Sequence, residues 1–141
     1  MKEYLMILAF LGIAGFPFSL SAQNKAGSGI KPHVIVYYFH PSDRCPIDQA
    51  IEENSGKTVQ SYFPAELKSG VLKFQVLNTD DAANAKVVSN FDINAQALYL
   101  VRIVQGKESK TDLTKFAFDF GKSNPGKFKS GLKEKIENAL K

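Results

Sequence analysis

The chain has 141 residues, is 44% hydrophobic and 23% charged, and carries a net charge of +4 with a single cysteine. That length suits one domain with a hydrophobic core large enough to stand without staples. One cysteine excludes a disulfide within the chain, so stability must come from packing.

The first residues read as a targeting segment. Lys2 precedes an apolar run over residues 4–16, followed by Pro17 and the small-residue stretch Ser19-Leu20-Ser21-Ala22. A charged start, an apolar middle and a small-residue end form a secretory signal peptide over 1–22, with cleavage expected after Ala22. The competing reading is a retained anchor. The run is shorter than the roughly 20 residues a spanning helix needs, and Gly12, Gly15 and Pro17 interrupt it. The expected destination is outside the cytoplasm, periplasmic or extracellular. Residues 23–32, with Gly27-Ser28-Gly29, read as a flexible leader, and 33–141 as the folded domain.

Val34-Ile35-Val36-Tyr37-Tyr38-Phe39 is continuously apolar, which predicts a strand buried on both faces of a parallel sheet. Beyond the loop His40-Pro41-Ser42-Asp43-Arg44-Cys45-Pro46 a helix is expected from Ile47 to about Phe63. Ile51, Val59, Tyr62 and Phe63 should face its core, while Ser55-Gly56 weakens its middle. Pro64 ends it, and the following residues form a short turn closed by Gly70. A second strand is predicted over 71–77. Asn78-Thr79-Asp80-Asp81 offers caps for a helix near 82–90, and a third strand covers 98–104.

Gln105-Gly106-Lys107 is a turn into a weak fourth strand near 108–113. Phe116-Ala117-Phe118-Asp119-Phe120 fits a strand by its period of two and a helical turn by its position. Asn124-Pro125 then starts a terminal helix, with Phe128, Leu132, Ile136 and Leu140 recurring every four residues. The order β–α–β–α–β–β–α, with a right-handed crossover between the first two strands, predicts an α/β, thioredoxin-like fold. It comprises a central mixed sheet of about four strands flanked by helices.

Charge is unevenly placed. Residues 23–104 carry eight basic and eight acidic side chains, whereas 105–141 carry nine lysines against five acids. That lysine-rich third is expected to form a solvated helix face; contact with a membrane surface or another anionic partner is the sharper alternative. Export and the lack of a nucleic-acid motif argue against nucleic acid.

Around the cysteine, Tyr37-Tyr38-Phe39-His40, Arg44-Cys45-Pro46 and Ile51-Glu52 resemble the signature of a bacterial thioredoxin-like family, the ArsF-type nitrophenyl-compound nitroreductase subunit family. Tyr62-Phe63 and Glu66-Leu67-Lys68-Ser69-Gly70 extend the likeness, which runs from about Val34 to Leu140. The resemblance implies a thioredoxin-like fold and redox ancestry. It departs from the family at Asp48, where the family has its second cysteine. It departs from thioredoxins generally at Ala97, where they place the cis-proline that positions a bound substrate chain.

Cys45 is thus the candidate nucleophile, with Pro46 and Asp48 the other site residues. A dithiol reductase needs a second thiol to resolve its mixed disulfide, and Asp48 is not one. A helix start favours a thiolate by about 0.3–1 kcal/mol, but a carboxylate about 4 Å away opposes it by about 1 kcal/mol or more. Asp48 also has a purely structural reading, as an acidic residue stabilising the first helical turn.

His40 is a weaker candidate, as a base for Cys45 or in a metal set with Cys45, Asp43 and Asp48. No zinc spacing matches and no third orienting group is apparent, so it is expected to cap the strand end. His33 should be exposed at the strand entry. No cofactor is expected, since no flavin or nicotinamide motif is visible. Two functions remain open. One is an accessory or binding module for another exported protein, without autonomous disulfide reductase activity. The other is a single-cysteine redox protein forming mixed disulfides through Cys45. A peroxide-reactive thiol lacks an accompanying motif.

Overall fold

The computed structural model describes residues 31–93 and 95–141, so the expected signal peptide and most of the expected leader lie outside the described residues. Four strands form the sheet: β1 (His33–His40), β2 (Leu72–Asn78), β3 (Ala97–Val104) and β4 (Lys107–Asp112). The helices are α1 (Pro46–Tyr62), α2 (Pro64–Ser69), α3 (Ala85–Ser89), α4 (Thr114–Phe120) and α5 (Pro125–Ala139). Strand order is β2-β1-β3-β4. β1 runs parallel to β2 and antiparallel to β3, and β3 runs antiparallel to β4. The molecule is therefore α/β, with a four-stranded mixed sheet flanked by helices and a topology compatible with a thioredoxin-like fold.

Local chemistry explains most element ends. Pro46 starts α1 and Pro64 starts α2, each at a position where the missing N–H costs nothing. Gly70 ends α2 at φ 76°, a left-handed conformation that suits glycine. The β3–β4 turn places Gln105 at φ 53° and Gly106 at φ 76°, the paired positive values of a tight hairpin. Asn124 caps α5 by accepting from the Lys127 N–H at 3.0 Å.

The two faces of the sheet are covered differently. Toward α1, α4 and α5 point Val34, Val36 and Tyr38, with Leu72, Leu98 and Leu100. They meet Ile51, Val59 and Phe63 of the α1 region and Phe128, Leu132 and Ile136 of α5 in one cluster. Burying side chains of this size contributes about 1.5–3 kcal/mol each. The opposite face carries Tyr37, Phe39 and Tyr99, onto which the loop residue Phe91 folds. Phe91 lies 5.3 Å from Tyr37, 5.0 Å from Phe39 and 4.9 Å from Tyr99, between ring centroids.

Several expectations need correction. β1 is not buried throughout on both faces: Ile35 and Tyr37 are only half-buried, because the long helices α1 and α5 pack on the opposite face. Tyr62, expected in the core, is 50% exposed, since the last turn of α1 hands its inward position to Phe63. The helix expected near 82–90 is split into a 3-10 turn, Ala82–Asn84, and the short α3. Residues 116–120, ambiguous by pattern, belong to helix α4; Phe116 stacks on Phe128 of α5 with centroids 5.3 Å apart. Ser55-Gly56 does not interrupt α1: Ser55 is buried and Gly56 lies against the Phe74 ring, so packing overrides propensity. Among the described residues, no helix is long and apolar enough to cross a membrane.

Candidate functional site at the start of helix α1

β1 ends at His40, and the next residues bring Cys45 to the N-cap of α1. There its backbone is extended and its thiol exposed. Pro46 follows as the first helical residue, also exposed. Asp48 occupies the third helical position and is only 2% exposed. Its Oδ2 accepts from the Cys45 N–H at 2.9 Å, while the Cys45 side chain faces the Asp48 N–H, giving a reciprocal capping box. The three predicted residues thus form one local unit, with the thiol outside and the carboxylate inside.

Behind the pair lies a polar layer that sequence pattern alone did not assemble. The Tyr38 hydroxyl reaches from the floor of the sheet and donates to the Asp48 carbonyl at 3.0 Å. Arg44 directs its guanidinium to Glu52 rather than to the sulfur. Burial, with the Asp48 charge adding to it, pushes the Tyr38 phenol well above its usual value, against the opposite pull of Arg44. Tyr38 therefore remains a neutral donor. Asp48 Oδ1 and Arg44 Nε are buried without hydrogen-bond partners among the described residues.

The loop before Cys45 is tied to the turn after β2. The Ser42 N–H donates to Asp80 Oδ2 at 2.7 Å, and Asn78 Nδ2 donates to Ser42 Oγ at 3.0 Å. The Thr79 N–H reaches the His40 carbonyl at 2.8 Å. The Ser42 backbone bond, helped by its side chain, holds the Asp80 carboxyl below its ordinary value.

His40 Nδ1 donates to the Pro41 carbonyl at 2.8 Å, so this ring nitrogen serves the strand end. His33 is exposed at the start of β1. No group of three or more His, Cys, Asp or Glu side chains suited to a metal ion occurs among the described residues. Ala97 opens β3, paired with Phe39 at the same end of the sheet as Cys45, and is 5% exposed.

Chemically, the arrangement offers one accessible thiol, and the chain's single cysteine supplies no second. The Cys45 N–H, which a bound anion at the helix start could otherwise use, is already taken by Asp48. A charged hydrogen bond of this kind contributes about 1.5–3 kcal/mol, more than the roughly 0.3–1 kcal/mol of the helix dipole alone. Tyr38 and the Ser42–Asp80 tether carried no motif that could announce them. Glu52 stood within the resembling string but without a role, because its link to Arg44 spans eight positions and depends on how the loop turns.

No family model matches the chain, and no curated protein matches it. A solved structure described as "Structure of a malarial protein" is similar at 14% identity, covering 62% of this chain and 93% of that one, with a TM-score of 0.39.

Proposed function

We propose that the protein is an exported thioredoxin-like module that binds another exported protein and has no autonomous disulfide reductase activity. The observation that carries this reading is the position of Asp48. The residue one turn beyond the cysteine, where a dithiol enzyme keeps its resolving thiol, is a buried carboxylate hydrogen-bonded to the Cys45 N–H. It cannot attack a mixed disulfide, and it makes the helix start self-sufficient. The family resemblance supports a redox ancestry for the scaffold, and the apolar N-terminal segment over residues 4–16 supports export.

Catalysed reduction of insulin by dithiothreitol tests the reading. The wild-type protein should not accelerate precipitation above the uncatalysed rate. Asp48→Cys, which restores a pair of thiols one turn apart, should form an internal disulfide and gain turnover. Turnover by the wild-type chain would sink the proposal.

A second reading, single-thiol exchange with a partner or a small disulfide, is favoured by the exposure of Cys45. Mass spectrometry of protein acid-quenched in its native compartment separates the two. A reproducible Cys45 adduct, abolished in Cys45→Ser, supports exchange. A reduced Cys45, with the same complexes recovered from Cys45→Ala as from wild type, supports the module.

A further inference from the structure

Toward the end of the sheet away from Cys45, β3, β4 and the last turns of α5 enclose a cleft of about 250 Å³. Its walls are Arg102, Ser109, Thr111, Lys135 and Asn138, with Leu100 and Ala139 as an apolar floor. Register explains the gathering. Arg102 pairs with Ser109 and Leu100 with Thr111, so alternate residues of both strands share the face that α5 covers. Glu108, Lys110 and Asp112, the intervening residues of β4, lie on the other face. No carboxylate lines the cleft among the described residues, and neither Arg102 nor Lys135 forms an ion pair with one.

Arg102 is held in place by its own Nε, which donates to the Ala139 carbonyl at 2.9 Å. That bond fixes the guanidinium against the end of α5, and no other described residue engages its two Nη groups. The Lys135 ammonium lies 5.4 Å from the Phe116 ring centroid, which braces the side chain without neutralising it. Two cationic side chains, two hydroxyls and Asn138, whose Oδ1 accepts from Lys141 Nζ at 2.9 Å, therefore line one small cleft with an apolar floor.

We propose that this cleft binds a small phosphate monoester. A carboxylate has one charge and two oxygens, fewer than the donors here can serve. A phosphate monoester carries about −1.5 to −2 charge at neutral pH and three acceptor oxygens, which matches two cations and the flanking hydroxyls. Arginine supplies a planar fork for two of those oxygens and lysine a mobile point charge. Leu100 and Ala139 leave room for a small organic group on the ester oxygen. The site shares no residue with the Cys45 end, so it stands whether or not the module reading does.

Titration of the isotope-labelled protein, followed by amide chemical shifts, tests the proposal with three probes: glucose 6-phosphate, inorganic phosphate and acetate. Glucose 6-phosphate should shift the amides of Ser109, Thr111, Lys135 and Asn138 saturably, with inorganic phosphate weaker at the same residues and acetate far weaker. Lys135→Gln should weaken glucose 6-phosphate binding at least about tenfold, the effect of losing one charge-assisted hydrogen bond. Thr111→Val, on the exposed strand, should weaken it less. Arg102→Lys, which retains charge without the fork, should cost more than Thr111→Val while leaving the rest of the spectrum folded. Acetate binding as tightly as phosphate would overturn the assignment. So would shifts spread evenly over surface lysines, or unchanged affinity in Lys135→Gln.

Discussion

The two faces of the sheet show how differently the same strands can be stabilised. One is roofed by α1, α4 and α5, and its aliphatic and aromatic side chains are almost wholly excluded from water. The other carries no long helix among the described residues, so the stacked Tyr37–Phe39 pair, Tyr99 and the loop residue Phe91 packed against them do the work of a helix. Lys110 closes that side by sitting 4.4 Å from the Phe91 centroid and donating to the Asn90 carbonyl at 2.7 Å. The lesson concerns where the candidate sites sit. Asp48 and the α5 cleft belong to the helix-covered side, and a packed scaffold holds a charged group in place better than a loop does.

The largest expected effect probes that contrast directly. Phe128→Ala on the covered face should destabilise the fold by about 3–5 kcal/mol. Phe91→Ala should lose about 1–2 kcal/mol, because its site can collapse toward solvent. Urea unfolding checks both, and equal losses would break the comparison. Asp48→Ala, removing the buried half of the capping box, should cost about 1–3 kcal/mol in the same measurement. A loss near zero would mean the covered face does not depend on that carboxylate.

A smaller effect is expected at the Ser42–Asp80 tether. The folded Asp80 carboxyl is held below its ordinary value, so it binds its proton less readily than in the unfolded chain. Its stabilisation is complete above the unfolded value of about 3.9 and disappears as pH falls through the lower folded value. The Ser42 amide should therefore shift and lose exchange protection only in that acidic window. An amide that stays constant through it would remove the tether from the account. Smallest of all, Tyr62→Ala, at a side chain half in water, should stay within about 0.5 kcal/mol of wild type in thermal unfolding.

Much of this architecture was readable from residues. Proline and glycine mark both ends of α2, Asn124-Pro125 marks the start of α5, and the four-residue spacing of Phe128, Leu132 and Ile136 gave its buried face. These signals are local, acting through one residue's dihedral angles or one helix's periodicity. Tyr62 misled because adjacent aromatic residues at a helix end compete for one inward direction, and only the approach of the next element decides between them. Residues 116–120 were undecidable for the same reason, since alternating phenylalanines suit a strand or a helix until a neighbour, here Phe128, covers one side.

At the candidate site, sequence alone determined the inventory: one cysteine, a proline after it, and an aspartate three residues on. It also determined that no internal disulfide can form. Tertiary structure decided the orientation of that inventory, with Cys45 outward, Asp48 inward, Arg44 turned to Glu52 and Tyr38 brought up from the sheet. It alone assembled the cleft of Arg102, Ser109, Thr111, Lys135 and Asn138. The reason is range: capping and chain connectivity act over a few residues, whereas burial and long-range charge pairing exist only once distant segments are packed.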